Sequence, residues 1–251
     1  MNLALPARAK LNLDLEVVER RADGFHEIRT NMQAVALHDL LEAAPDEKTT
    51  LVVDGMPAPA AADNIVLKAL AEIEKAAGRP LPTRFHLHKR IPPGAGLGGA
   101  SSDGATALRA LANIHRLDVN LKKIASIIGA DVPFFLAGGH ALAEGTGEQL
   151  TPLPTELAWY AIAWPGIELS TASVYAAWDE TKGEPPNALR RAAERADPRV
   201  QDFAERLGHE WQMTGSGSAF FKRCASRDEG LTATGGLDCW TAVTHSVGAW
   251  A

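Results

Sequence analysis

The sequence predicts a mixed fold in which short strands alternate with capped helices, and three observations carry that prediction. Apolar residues hold alternate positions from Leu11 to Val17, with Asn12, Asp14 and Glu16 between them, the period-two pattern of a half-buried strand. A stripe of Val66, Leu70, Ile73 and Ala77 follows Asp63 and Asn64, either of which can cap a helix that Gly78 and Pro80 end. A second alternating run, Phe85-His86-Leu87-His88, leads through Pro92-Pro93 and a dense glycine turn into a helix opening near Ser101.

The first strand puts Lys10 and Asn12 on one face, because side chains two apart point the same way. Asp23-Gly24 is a turn signal before Phe25-His26-Glu27-Ile28, so an early hairpin is expected. Leu51-Val52-Val53 reads as a short strand. The helix after the glycine turn should run to about Asn113, and Asn120 caps another whose stripe is Leu121, Ile124 and Ile128, with Gly129 suited to its C-terminal cap. Asp131-Val132-Pro133 marks one more helix start. The last hundred residues alternate similarly around a polar, proline-containing passage from Thr181 to Asn187, and no internal repeat or low-complexity segment occurs.

Hydrophobic residues at 46% and charged residues at 22% of 251 match globular proteins, one large domain or two modest ones, and argue against disorder or a fibrous fold. A net charge of −6 without a long basic tract argues against affinity built on nucleic-acid phosphates. Cys224 and Cys239 lack metal-ligand spacing and are too few for a disulfide framework, so a reducing compartment is expected, with one bridge left open. Apolar stretches such as Leu157 to Pro165 fall short of the roughly 20 residues that span a bilayer. With no basic-then-apolar leader either, no membrane association and a cytoplasmic location are expected.

Pro92-Pro93-Gly94-Ala95-Gly96-Leu97-Gly98-Gly99-Ala100-Ser101-Ser102-Asp103 is the most informative segment. Glycine lets a backbone approach an anion closely, and free amides at a helix start carry partial positive charge, so the turn suits a polyphosphate. Ser101 and Ser102 add hydroxyls suited to phosphate or a bound metal, although serine is also an ordinary cap. Gly94-x-Gly96-x-x-Gly99 formally meets the dinucleotide fingerprint, but Asp118, the acidic residue at suitable spacing, sits between two predicted helices. A Walker A loop needs Lys and then Ser or Thr after its last glycine, where Ala100 stands here.

The segment Pro93 to Asp103 resembles the ATP-binding motif of the GHMP kinases, and three further stretches agree in order: Ala7-x-Ala9-Lys10-Leu11-Asn12-Leu13, Gly129-Ala130-Asp131-Val132-Pro133-Phe134, and Gly215-Ser216-Gly217-Ser218. Asp23-Gly24-Phe25-His26-Glu27 is similar to the Gly-aromatic-His-Glu segment of the diphosphocytidyl-methylerythritol kinases, which sets them apart from mevalonate and homoserine kinases. Ser170-Thr171-Ala172-x-Val174-Tyr175 resembles the same group's stretch carrying a second aromatic. Ala100 stands where many relatives have glycine, Gly217-Ser218-Ala219 where they often have Gly-Pro-Thr, and 176–208 matches only loosely, apart from Asn187 and the helix after it.

The resemblance implies an α+β enzyme of two domains, 1–152 ribosomal-S5-like and 153–251 ferredoxin-like, that phosphorylates an alcohol group on a cytidine-diphosphate-linked small molecule. ATP with Mg2+ would be the co-substrate, with no permanently bound cofactor and no metal held without nucleotide. Lys10 and Asp131 would be catalytic. Pro93, Gly94, Gly96, Leu97, Gly98, Gly99, Ala100, Ser101, Ser102 and Asp103 would hold the nucleotide. Asn12 would position the acceptor, Phe25 and Tyr175 would sandwich the cytosine, and His26 would read its edge. Rival readings are a mevalonate-type or homoserine-type kinase, an NAD-dependent oxidoreductase and a silent nucleotide-binding protein. His86, His88 and His140 carry no assigned role.

Overall fold

The structure, a computed structural model, describes residues 2–59 and 63–250. The chain begins with β1 (Leu3–Asn12), β2 (Glu16–Arg20), β3 (His26–Pro45) and β4 (Thr50–Gly55). It continues through α1 (Ile65–Ala77), β5 (Thr83–Lys89), α2 (Gly99–Ile114), α3 (Leu121–Ile128), α4 (Val132–Ala137), β6 (His140–Glu144) and β7 (Gln149–Leu153). The last part comprises β8 (Trp159–Trp164), α5 (Thr171–Thr181), α6 (Arg190–Ala196), α7 (Arg199–Leu207), β9 (Gln212–Met213), β10 (Phe220–Cys224), α8 (Arg227–Thr234) and β11 (Trp240–His245).

These elements form two compact units whose segments interleave along the chain. The first comprises Met1–Ala9, His38–Pro93 and Gly98–Ala137; the second comprises Lys10–Leu37, Gly94–Leu97 and Gly138–Ala251. The boundary expected near residue 152 follows sequence motifs, whereas compactness groups 10–37 and 94–97 with the later chain. Among the described residues, no helix is long and apolar enough to cross a membrane.

In the first unit, the end of β3 pairs antiparallel with β5, and β4 runs parallel to β5 on its other side. Phe85 and Leu87 bury one face of β5, and His86 and His88 occupy the other, as period-two alternation requires. Helix α1 starts where Asn64 Oδ1 accepts the Val66 amide at 3.0 Å, buries Val66, Leu70 and Ile73, and ends at Gly78 in the left-handed region. Helix α2 opens at Gly99, two residues before Ser101, because Gly98 at φ 73 takes the cap position. Gly129 ends α3 in extended backbone rather than in a left-handed cap.

In the second unit, the strand expected from Leu11 to Val17 is divided, since β1 stops at Asn12 and β2 starts at Glu16. Local hydrogen bonds explain the break. Asp14 accepts the Asn31 backbone amide and side-chain amide at 2.7 Å each, and Leu15 exchanges backbone bonds with Pro186 and Ala188 at 2.8 Å. The expected hairpin forms between β2 and the start of β3, whose first half also pairs with β6, which pairs with β7.

The last four strands form an antiparallel sheet in the order β11-β8-β10-β9. Numbered within that sheet, this is 4-1-3-2 with a strand-helix-strand-strand-helix-strand succession, the ferredoxin-like arrangement. Its core joins Ile167, Val174, Trp178, Leu189, Phe203 and Phe220, with Phe203 edge-on to Phe220 at 5.8 Å between ring centroids.

Candidate active site

Lys10 and Asn12 do lie on one face at the end of β1, both almost fully buried. The Lys10 ammonium donates to Asn12 Oδ1. Asn12 Nδ2 donates to Thr30 Oγ1 at 2.8 Å, and Thr30 passes its own hydrogen to the Asp14 carbonyl at 2.6 Å. The Asn12 backbone amide is held by Thr214 Oγ1 at 2.8 Å. A chain of this kind fixes the amide so that its oxygen faces the lysine, because both Nδ2 and the backbone nitrogen are committed elsewhere.

The first half of the glycine loop joins the same cluster. The Lys10 backbone amide donates to the Leu97 carbonyl at 3.0 Å, while Ser218 and Ala219 donate to the Gly94 and Ala95 carbonyls at 3.3 and 3.0 Å. Gly96, at φ 77, approaches so closely that a β-carbon there would stand 2.4 Å from the Thr214 carbonyl oxygen. Gly215, at φ 56, would place a β-carbon 2.8 Å from the Gly96 oxygen and 3.1 Å from Asn12 Oδ1. Glycine is required at both by conformation and by space.

Asn187 closes this arrangement from the loosely matching region. Its Nδ2 donates to the carbonyls of Met213 and Gly215 at 2.8 and 3.0 Å, and its Oδ1 accepts the Leu189 amide at 2.9 Å. Thr30, Thr214 and Asn187 escape sequence reading because their partners lie far along the chain. The signal the sequence offers is that Asn187 matches within an otherwise loosely matching region.

The second half of the loop, from Gly98 on, belongs to the first unit and leads into α2. Ala100 is exposed and Ser101 half-buried, whereas Ser102 is buried, and its hydroxyl has no hydrogen-bond partner among the described residues. Asp103, also buried, accepts from Lys89 Nζ at 2.7 Å, and the same ammonium donates to Asp39. Asp39 also receives the Arg90 and Ile91 backbone amides.

One lysine therefore serves two buried carboxylates. Burial pushes the Asp103 carboxyl up to about 8 against the pull of Lys89, and the Asp39 charge adds to that rise. Burial works against the Lys89 charge, but Asp103 and Asp39 outweigh it and hold the ammonium above its ordinary value. A proton kept on Asp103 leaves the triad neutral. The side chain of Asp103 thus anchors the start of α2 to β5. Asp131 stands half-buried immediately ahead of α4, which packs on α2 within that unit. Lys10 and Asp131 belong to different units.

A third cluster surrounds His26. The turn after β2 is closed by Gly24, at φ 87, whose amide donates to the Arg21 carbonyl at 3.1 Å, and this leaves Phe25 at 64% exposure. His26 turns inward. Its ring stacks on Tyr175 at 4.9 Å between centroids and meets the edge of Trp178 at 5.4 Å. Its Nε2 lies 2.8 Å from Asp179 Oδ1. The His26 hydrogen bond holds the Asp179 carboxyl below the usual carboxylate range, with Arg20 and Lys182 assisting. Tyr175 thus meets His26 directly, and Phe25 is displayed at the turn.

Comparison with known proteins follows the same outline. The description "GHMP kinases N terminal domain" matches residues 64–139. A protein of Chromohalobacter salexigens called 4-diphosphocytidyl-2-C-methyl-D-erythritol kinase is 40% identical over 76% of this chain and 65% of its own length. One of that name from Pseudomonas entomophila is 36% identical over 90% of this chain and 86% of its own. Among solved structures, a crystal structure of 4-(cytidine 5'-diphospho)-2C-methyl-D-erythritol kinase is similar at 34% identity, with a TM-score of 0.85, covering 98% of this chain and 100% of that one.

Proposed function

The chain belongs to the 4-diphosphocytidyl-2-C-methyl-D-erythritol kinases of the GHMP family, and from that premise we propose that it transfers the γ-phosphoryl group of ATP to the 2-hydroxyl of 4-diphosphocytidyl-2-C-methyl-D-erythritol. The observation that carries this reading is the seating of the Lys10 head between Asn12 and Gly215, beside the first half of the glycine loop.

Phosphoryl transfer asks mainly for positioning and for stabilisation of charge spread over the transferring group. Asp131 accepts the proton of the substrate hydroxyl as its oxygen bonds to the γ-phosphorus and the bond to the β-phosphate oxygen breaks. Lys10 favours the ionised hydroxyl, and Asn12, locked by Thr30 and Thr214, keeps the lysine directed. The loop amides hold the phosphates. Mg2+ suits the buried Ser102 hydroxyl, an oxygen donor with no other partner among the described residues. When bound with the nucleotide, it neutralises phosphate charge.

The cytosine is held at the His26 cluster, where stacking contributes roughly 1–3 kcal/mol per base. With Nε2–H donated to Asp179, Nδ1 of the imidazole is an acceptor suited to the exocyclic amine of cytosine. Incubating the chain with ATP, Mg2+ and the diphosphocytidyl substrate is expected to give equimolar ADP and a new phosphomonoester signal in phosphorus NMR. Turnover of mevalonate or homoserine, with none of the cytidine compound, overturns the proposal.

A further inference from the structure

Away from the residues given roles above, four side chains meet on the open face of the β3–β5–β4 strands of the first unit. His86 and His88 share a face of β5; Glu42 on β3 stands opposite His86, and Asp54 on β4 stands opposite His88. His86 Nε2 lies 2.7 Å from Asp54 Oδ2, His88 Nδ1 lies 3.0 Å from Asp54 Oδ1, and His88 Nε2 lies 3.0 Å from Glu42 Oε1. The two rings are 3.9 Å apart between centroids. One ligand atom from each of Glu42, His86 and His88 falls within 4.8 Å of the others.

Charge and donor number say what this cluster lacks. Both nitrogens of His88 face carboxylate oxygens, so the ring satisfies both only as the doubly protonated cation. The His86 ring then contributes a third N–H in the same small space. With those shared protons removed, two neutral imidazoles and two carboxylates carry a net charge of −2, which one divalent cation neutralises. Two histidine nitrogens with carboxylate oxygens are a ligand set for a zinc-class ion, whose bonds to such atoms are about 2.0–2.2 Å. The ligand atoms of Glu42, His86 and His88 lie within reach of one such ion, while Asp54 meets the Nδ1 side of His88, opposite the Nε2 that meets Glu42. The backbone is already fixed, because all four residues are at paired positions of one sheet rather than on a loop.

We propose that Glu42, His86 and His88 form a binding site for a zinc-class divalent transition-metal ion, with Asp54 behind it as a hydrogen-bond acceptor. His86 and His88 each give one nitrogen and Glu42 one oxygen, and Asp54 accepts a hydrogen bond from His88 Nδ1, the ring nitrogen opposite the one that meets Glu42, as carboxylates behind metal-bound histidines do. A bound ion ties β3 to β5 directly, with β4 joined through the Asp54 hydrogen bond, and thereby stabilises the first unit by mass action. None of these residues takes part in the proposed phosphoryl transfer.

The test uses the full chain without a histidine tag and Co2+ as the spectroscopic probe. One Co2+ per chain is expected, with the visible absorption of a four-coordinate site that Zn2+ displaces, and Zn2+ is expected to raise the melting temperature. His86→Ala and His88→Ala are expected to abolish the absorption, and Glu42→Gln and Asp54→Asn to weaken binding about tenfold or more. His140→Ala is expected to change nothing. Circular dichroism of each metal-free variant keeps loss of binding apart from loss of fold. Absence of a stoichiometric site in the wild-type chain, or an unchanged site in the His86→Ala, His88→Ala double variant, overturns the proposal.

Discussion

Gly215 lies against Lys10 so closely that a β-carbon at position 215 would stand 3.2 Å from the lysine Nζ. The lysine head is thus confined by a backbone that carries no side chain at the point of contact. Gly215→Ala would meet the Gly96 oxygen as well, in a left-handed conformation that costs a residue with a β-carbon about 1–2 kcal/mol. A displacement of the lysine on the order of 1 Å is expected to lower kcat about 100-fold. Steady-state kinetics beside a urea melt checks this, since the melt gives the folded fraction and turnover per folded chain is expected to fall.

Asp131→Asn removes the proposed proton acceptor with almost no change in shape. Turnover is expected to fall about 10²–10⁴-fold, the usual contribution of a positioned base. Calorimetric titration with ATP and with a cytidine ligand is expected to give unchanged affinities. Undiminished turnover would remove Asp131 from its role.

The His26–Asp179 pair gives a prediction that separates the two substrates. His26→Ala is expected to raise KM for the cytidine-linked compound at least tenfold, and Asp179→Asn to raise it less, with KM for ATP unchanged in both; tenfold corresponds to about 1.4 kcal/mol. Equal effects on the two substrates would count against base recognition. Because the Asp179 carboxyl is held below its ordinary value, its contribution to stability is present above the unfolded value of about 3.9 and is lost as pH falls through the depressed folded value. The gap in urea midpoint between wild type and Asp179→Asn is therefore expected at neutral pH and to close on acidification.

Lys89 supplies a fourth prediction. Lys89→Met leaves Asp39 and Asp103 buried without their cation, and the loss of one partner from a buried ion cluster costs about 3–5 kcal/mol. Chemical denaturation is expected to show that loss. Asp103→Asn is expected to be milder, since a neutral side chain replaces a carboxyl already held protonated up to about pH 8.

What could be read in advance was local. A cap at Asp63 or Asn64, a helix end at Gly78, a helix opening near Ser101 and the early hairpin each depend on residues a few positions apart, and the structure has the cap at Asn64, the end at Gly78, α2 from Gly99 and the β2–β3 hairpin. The break between β1 and β2 depends on Asp14 reaching Asn31 and on Leu15 pairing with Pro186 and Ala188, which no periodicity encodes. Strand β3 looked like a four-residue run at Phe25-His26-Glu27-Ile28 and extends to Pro45, because successive partners along its length supply the ladder. Asp179 is 153 residues from His26, and Lys89 is 50 from Asp39; only the folded chain brings such pairs together. Conversely, the glycine loop was conspicuous because its requirement is for conformations that few residues adopt.

The interleaving of the two units has a consequence for how this gene can be cut. A fragment starting at Gly138 lacks the partner strand of β6, and lacks the Gly94 and Ala95 carbonyls that Ser218 and Ala219 need. A fragment ending there keeps residues 10–37 without the sheet and helices that complete their core. Neither half is a portable module, so recombination with another kinase must exchange at least three separate stretches of sequence at once.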